Sequence, residues 1–498
     1  MINALNRKIL FGVFSGWTAQ ILSMLIGLFT LPVFFRYLPK EELGIWMFFL
    51  GTNVFINLAD FGFSPVLGRH LAFELGKGDR IGQKNDQGAA YFFSLSKHVS
   101  FATSIVLLFL MLTLGSIFIY SMHIRESLLL PSIIAWGLFS LAQFVTCQFK
   151  YLETTLNGHG EVGWQNIVQV VSQFLSLIGY FLVLYLQLGG IILLAFVFLC
   201  RSMIIASFNL LLVHRRIDEE CIKKVPVTWK DAKPHLKPAL DIFLISLGAF
   251  LILNTDQYFI VFFLGTDKLP DYAAAYRLVQ IAYTFAATTS MMSIPFISRM
   301  SAAGSRESLH NLLMLNTTVG MMIQIAGAAM IAVFGDYLIS FWIGSNHFVG
   351  WPVLWTFCIM LSLENHHVIF ARFGINVRTE PSWGKISICA GILNLVLTFI
   401  GVQMFGLLGI AMATMITQML TSNWYAVWKT LRIIQIRFRD YFVRSGVVWL
   451  ASGGALVCVF IIIRQNVSIP IASIMMAVIS TGIIYSGILL GYIRQFSR

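Results

Sequence analysis

The sequence predicts an all-α polytopic membrane protein of about fourteen transmembrane helices, arranged as two six-helix lobes followed by two further helices. Three observations lead there. Of the 498 residues, 58% are hydrophobic and only 11% are charged, which excludes an ordinary soluble protein. Apolar runs of membrane-spanning length follow one another along nearly the whole chain. The segment 43–74 also has an echo in the second half: Pro65, Arg69 and Ala72 recur as Pro295, Arg299 and Ala302, at a constant spacing of 230.

The runs fall at 9–35, 43–68, 91–120, 127–149, 165–187 and 189–213. After a basic stretch they resume at 240–264, 272–298, 310–334, 349–371, 384–405 and 407–431, with a last pair at 443–463 and 468–493. Arg7 and Lys8 open the first run, which is too long for a signal-peptide core and lacks a small-x-small cleavage site, so it reads as a span. The second run carries Asn53, Asn57, Asp60 and Ser64, spaced four, three and four apart, so on a helix they form one polar stripe. A stripe holding a carboxylate cannot face lipid cheaply; it faces other helices or a wet cavity. Pro65 and Arg69 then mark the exit from the bilayer, and Lys97 on the third run lies at a depth matching Asp60.

Asn166, Gln169, Gln173 and Ser176 form a stripe on the fifth run, and the sixth carries Arg201 well inside its length. An unpaired cation there is costly. Arg201 therefore meets a distant carboxylate, such as Asp60 or Asp256, or lines a hydrated cavity. Residues 214–239 are strongly basic and contain Pro226, Pro234 and Pro238; they read as a linker, not a domain. Asp256 and Arg277, on the seventh and eighth runs, stand at similar depth. They are candidates for an ion pair, either structural or a lock that opens during a cycle. Arg277, Gln280, Thr284 and Thr288 repeat the striping of the second run.

A second trace of duplication joins Asn157, Glu161, Trp164, Ile167, Leu188, Gly190 and Ile191 to Asn376, Glu380, Trp383, Ile386, Leu407, Gly409 and Ile410, all at a spacing of 219. Corresponding runs are an even number of spans apart, so the expected repeats are parallel, related by an axis along the membrane normal. The expected divisions are 1–213, the linker 214–239, 240–431, and 432–498 with the last two helices. Most of the 34 Lys and Arg residues fall in loops on one side, which places both termini in the cytoplasm. The net charge of +12 then reflects orientation and not nucleic-acid binding.

Little in the chain suggests catalysis. The six cysteines are scattered without a CxxC, there is no phosphate-binding GxxxxGK[ST], and no HExxH occurs. Glu364-Asn365-His366-His367 lacks a third ligand at metal spacing, so Glu364 and His367 read as helix-packing or proton-relay groups. No cofactor is expected. Every outward loop is short, which argues against a polytopic glycosyltransferase, polymerase or ligase.

The opening SGWTAQILSMLIGLFTLPVFFRYLPKEELGIWMFFLGTNVFINLADFGFSPVLGRHLA resembles the start of bacterial polysaccharide (O-antigen-type) flippases, in the multidrug/oligosaccharidyl-lipid/polysaccharide exporter superfamily. The matching features are the L-P-x-E-E-L-G link, the A-D-F-G-F turn and Arg69. TDQYFIVFFLG followed by DYAAAYRLVQ resembles the family's helix 7–8 hairpin, with Asp256, Tyr272 and Arg277 at its polar positions. The resemblance implies two lobes opening alternately to each side of the bacterial inner membrane, moving an undecaprenyl-pyrophosphate-linked sugar outward. It implies no enzymatic step; an H+ or Na+ coupling ion and polysaccharide polymerase machinery are candidate partners. The last two helices resemble the arrangement in lipid II flippases, where that pair is associated with the lipid tail. Arg201, Arg277, Lys97, Asp60, Asn57, Asn53, Gln280 and Thr284 are the expected cavity residues, and Asp256, Glu364 and His367 the expected coupling or gating residues. The rival reading of the same fold is a cation-coupled drug antiporter, which would be expected to present an acidic interior rather than a mixed or basic one.

Overall fold

The computed structural model describes residues 2–81, 86–122, 124–302, 304–378, 382–467 and 469–496, and every regular element among them is helical. The chain divides into two compact units: Met1–Leu247 with Leu264–Pro270, and Gly248–Phe263 with Asp271–Arg498.

Unit 1 opens with α1 (Ile2–Tyr37) and α2 (Lys40–Gly51). A 3-10 turn at Thr52–Val54 leads into the short α3 (Phe55–Ala59), and the chain then breaks before α4 (Phe63–Ile81). One continuous helix through 43–68 is therefore not what forms. Phe61 (φ 47°) and Gly62 (φ 77°) adopt left-handed backbone, which ends a right-handed helix. A Cβ on Gly62 would lie 2.4 Å from the Ala239 carbonyl oxygen, so only glycine fits. The unit continues with α5 (Asp86–Leu110), α6 (Ser116–Ser121), α7 (Glu126–Gln148), α8 (Lys150–Gly158), α9 (Val162–Tyr185) and α10 (Ile191–Arg216). On α4, Phe63, Val66, Leu67 and Leu71 recur at helical spacing and are buried with Phe92, Phe93, Tyr151 and Leu152, whereas Arg69 is exposed. The segment after the break is thus an amphipathic helix laid on protein.

The basic stretch after α10 is docked on this unit. Glu219–Ile222 forms a 3-10 turn, Cys221 joins the cluster beneath α4, and the Val225 amide donates to Ser94 Oγ at 2.9 Å. Asp231 accepts from the Thr228 amide (2.7 Å) and hydroxyl (2.9 Å), tying down the start of α11 (Trp229–Leu253).

In unit 2 the expected helix over 240–264 is interrupted. α11 ends at Leu253, α12 (Asp256–Phe259) follows after two residues, and a wide π-type turn covers Ile260–Leu264. Then come α13 (Leu269–Met292), α14 (Ile294–Ala302), α15 (Arg306–Trp342), α16 (Trp351–Val377), α17 (Ser382–Leu420), α18 (Ser422–Ile434), α19 (Phe438–Tyr441), α20 (Val447–Asn466) and α21 (Pro470–Phe496). Ala329, Val333 and Phe334 of α15 form a buried cluster with Leu456, Phe460 and Ile463 of α20 and Ala477 of α21. At its edge the Arg464 guanidinium makes two bonds to the Asp336 carboxylate, at 3.2 and 2.8 Å. It also lies over the rings of Tyr337 (4.9 Å) and Trp351 (5.2 Å).

Among the described residues, twelve helical stretches are long and apolar enough to cross a membrane. One of them, Ser382–Ile434, is 53 residues long and bends at Gly406 (φ 56°, ψ −131°), so it holds the two spans expected at 384–405 and 407–431. The expected span at 272–298 corresponds to α13, which lies outside the twelve because Asp271, Arg277, Gln280 and a run of threonines and serines lower its hydropathy.

Candidate functional site

In unit 1 polar side chains of the Thr52–Val54 turn, α7 and α10 gather inside the helical packing. Asn53 holds the 3-10 turn by donating to the Leu50 carbonyl at 2.7 Å, and its Oδ1 accepts from Gln143 Nε2 at 2.6 Å. Thr146 Oγ1 donates to Ser202 Oγ at 3.1 Å. Next to Ser202, Arg201 is half-buried, with its guanidinium over the Phe198 ring at 5.8 Å. Phe198 packs in turn on Phe139 and Trp46. The Nε of Arg201 is buried without a hydrogen-bond partner, as are Ser140 Oγ, Gln143 Oε1 and Asn209 Oδ1 on the same two helices, α7 and α10. Desolvated groups left unpaired are destabilising, and several together mark where water or a ligand supplies the missing bonds.

Below this group Asp60, only 3% exposed, closes the helix break. Its carboxylate accepts from the Ser64 amide (3.0 Å) and hydroxyl (2.6 Å), which ties the break to the first turn of α4. The cation beside it is Lys150, with Nζ 3.7 Å from Asp60 Oδ2 and 3.2 Å from Asn57 Oδ1. Lys97, matched to Asp60 by depth, is instead over the Tyr151 ring at 5.7 Å. Lys97 approaches Asp60 in depth, but the rotation of α5 turns it onto α8.

In unit 2 the break in the seventh span builds a site around Asp256. Tyr272 donates to Asp256 Oδ2 at 2.6 Å, and Thr414 Oγ1 lies 3.5 Å from both Asp256 Oδ1 and the Ile252 carbonyl. Asn394 Nδ2 donates to Thr414 Oγ1 (3.1 Å) and the same carbonyl (3.3 Å), which the interruption leaves without its helical partner. The pairing of Asp256 with Arg277 considered from the sequence is absent: Arg277 is exposed and donates to Gln280 Oε1 at 2.7 Å, one turn along α13. Thr284 and Thr288 donate to carbonyls four residues back, so this stripe binds its own helix and not a neighbour. Within unit 1, Arg201 is likewise not paired with Asp60, whose carboxylate is engaged by Ser64 and Lys150.

Glu364 accepts from Gln418 Nε2 at 3.0 Å, His367 Nδ1 bonds the Ser422 carbonyl at 3.0 Å, and His366 Nε2 bonds the Tyr441 hydroxyl at 2.6 Å. Each partner is on a different neighbour of α16, and no group of three or more metal-ligating side chains occurs among the described residues. Sequence reasoning missed Lys150 and Arg372, which belong to no polar stripe or motif. Arg372 lies within α16 and donates to the Ala287 carbonyl (2.5 Å) and Ser290 Oγ (2.7 Å) of α13.

Unit 2 also holds an apolar groove of about 570 Å³ between α15, α16, α18 and α20, lined by Met321, Ile325, Leu363, Trp424, Val427 and Val457 among others. His366, Tyr441 and Asn423 reach its wall. Both polar atoms of the Asn423 side chain are buried and unpaired.

Long apolar helices carrying charged and amide side chains inside each of two compact units define a multi-pass helical membrane protein. A family model described as polysaccharide biosynthesis protein matches residues 9–301, and the chain belongs to that family. A Haloferax volcanii protein described as a probable low-salt glycan biosynthesis flippase, Agl15, is 24% identical over 201 residues, 39% of this chain. The match spans 42% of that relative's length. The fold is similar to that of lipid II flippase MurJ in an inward closed conformation, with TM-score 0.72 and 14% identity over 98% of this chain and 100% of that one. An inward-facing multidrug resistance MATE transporter of the MOP superfamily gives TM-score 0.67 and 17% identity over 82% and 94%. At these identities the shared property is the fold alone.

Proposed function

We propose that this protein is a non-enzymatic flippase that moves an undecaprenyl-pyrophosphate-linked oligosaccharide from the inner to the outer leaflet of a bacterial inner membrane by alternating access, with both termini cytoplasmic. The two units are read as duplicated parallel lobes. The observation that carries the proposal is Arg201, a permanent cation set among buried unpaired polar groups of α7 and α10. A diphosphate cannot cross hydrocarbon alone, and a guanidinium in a wet interior replaces part of its hydration. A membrane potential negative inside favours anion export by about 2.3 kcal/mol per charge per 100 mV. The apolar groove suits an isoprenoid tail, in keeping with the resemblance to lipid II flippases. Asp256, in its oxygen-rich niche, is the residue assigned to H+ or Na+ coupling, and Glu364 and His367 are assigned to gating.

Proteoliposomes containing a lipid-linked diphosphate oligosaccharide test the proposal: headgroup exposure in the outer leaflet, read by a membrane-impermeant lectin, should rise with the protein and fall with Arg201→Gln. The MATE-like fold and the buried carboxylate of Asp256 favour a second reading, a cation-coupled antiporter. Uptake of a cationic dye driven by a proton or sodium gradient, without headgroup translocation, would establish that reading in place of the first.

A further inference from the structure

Lys150 and Arg372 form a matched pair that neither composition nor motif reveals. Lys150 Nζ reaches Asn57 Oδ1 and Asp60 Oδ2 at 3.2 and 3.7 Å. Arg372 Nη1 reaches the Ala287 carbonyl and Ser290 Oγ at 2.5 and 2.7 Å. Residues 57 and 287, and residues 60 and 290, are each 230 apart, the same spacing that relates Pro65 to Pro295. In unit 1 the cation is the first residue of α8, two positions past the end of α7, and in unit 2 it lies within α16; each grips the end of the helix that precedes a break. The break lies at residues 60–62 in unit 1 and at Ser293 in unit 2. A second tether guards each break: Ser64 bonds Asp60, and Ser293 Oγ bonds Asn316 Oδ1 of α15 at 3.0 Å.

We propose that Lys150 and Arg372 are equivalent positioning residues, latches that fix the angle at which α4 and α14 leave the helices before them. Their chemistry has diverged. In unit 1 the latch is ionic, a lysine ammonium on a carboxylate; in unit 2 an arginine meets a carbonyl and a hydroxyl. The planar guanidinium suits two fixed neutral acceptors, and the compact ammonium suits a carboxylate flanked by an amide. The pairs should therefore work as sets, and exchanging a whole set should preserve the latch.

The test uses purified protein with the exposed Cys389 and Cys458 replaced by serine and nitroxides at Phe73 of α4 and Asn157 of α8, both exposed. Double electron–electron resonance should give one narrow distance population in the parent. Lys150→Ala should add a second, longer population. Lys150→Arg with Asp60→Ser, which carries the unit 2 chemistry into unit 1, should return the single population. A parent-like distribution in Lys150→Ala overturns the proposal. So does a second population in the Arg/Ser pair, which decides alone if the alanine protein does not fold. The distance measurement needs no substrate, so its outcome is separate from that of the transport assignment.

Discussion

Removing the Arg201 side chain should weaken headgroup binding sharply while leaving the fold intact, an unusual combination for a half-buried charge. In this structure the guanidinium makes one aromatic contact, over Phe198, and its Nε has no partner. Truncation therefore loses a cation–π contact of about 0.5–2 kcal/mol and relieves the desolvation of an unpaired charge, two opposing effects of similar size. The thermal midpoint of Arg201→Ala should stay within about 3 °C of the parent. Binding is different: a charge-assisted bond to a phosphate oxygen contributes about 1.5–3 kcal/mol, so affinity for the diphosphate headgroup should fall roughly tenfold to a hundredfold in Arg201→Ala and Arg201→Gln. Arg201→Lys keeps the charge but loses the fork, and should fall between. Headgroup affinity by calorimetry in detergent and thermal midpoint should be read on the same preparations. Parent-like affinity in a stable Ala variant would remove Arg201 from the site. A collapse of stability would show that it is a structural residue.

Three further outcomes are expected. The charge exchange Asp256→Arg with Arg277→Asp should not recover export lost in either single variant, because Asp256 is held by Tyr272 and Thr414; Tyr272→Phe should reproduce much of the Asp256→Asn defect in the same gradient-driven assay. Arg464→Ala should loosen α20 by roughly 1–2 kcal/mol, seen as faster proteolysis between α19 and α21, because it loses both the Asp336 pair and two aromatic faces. Gly62→Ala should lower the thermal midpoint more than Gly160→Ala. Both glycines have left-handed φ (77° and 74°), at about 1–2 kcal/mol for alanine, but only at Gly62 would the new Cβ meet a carbonyl, at 2.4 Å. Equal shifts would contradict the close approach to Ala239.

Much of the helical plan could be read directly, because twenty consecutive apolar residues have few alternatives in a membrane. The bend at Gly406 lies between the spans expected at 384–405 and 407–431. The interruptions at 60–62 and 254–255 were less legible. The A-D-F-G-F turn was visible, but its apolar flanks let the run continue on paper to residue 68. Around Asp256 no glycine or proline announces the break. Partner choice was least legible. Depth along a helix follows from residue number, so Lys97 and Arg277 looked well placed for Asp60 and Asp256. Pairing depends equally on rotation about the helix axis, and in a bundle where lipid and core are both apolar the sequence marks that rotation weakly. Lys150 and Arg372 were overlooked for the opposite reason: they stand near span ends, where basic residues are expected for orientation alone.

The Arg464–Asp336 clamp has a consequence for the apolar groove. The groove's walls are α15, α16, α18 and α20, and the clamp joins α20 to α15 beside Trp351 at the start of α16. Every wall thus belongs to one compact unit. Under the proposed flippase reading, an apolar tail lodged there would keep the same neighbours through any rearrangement that leaves unit 2 intact, riding as a passenger while its polar end exchanged surroundings.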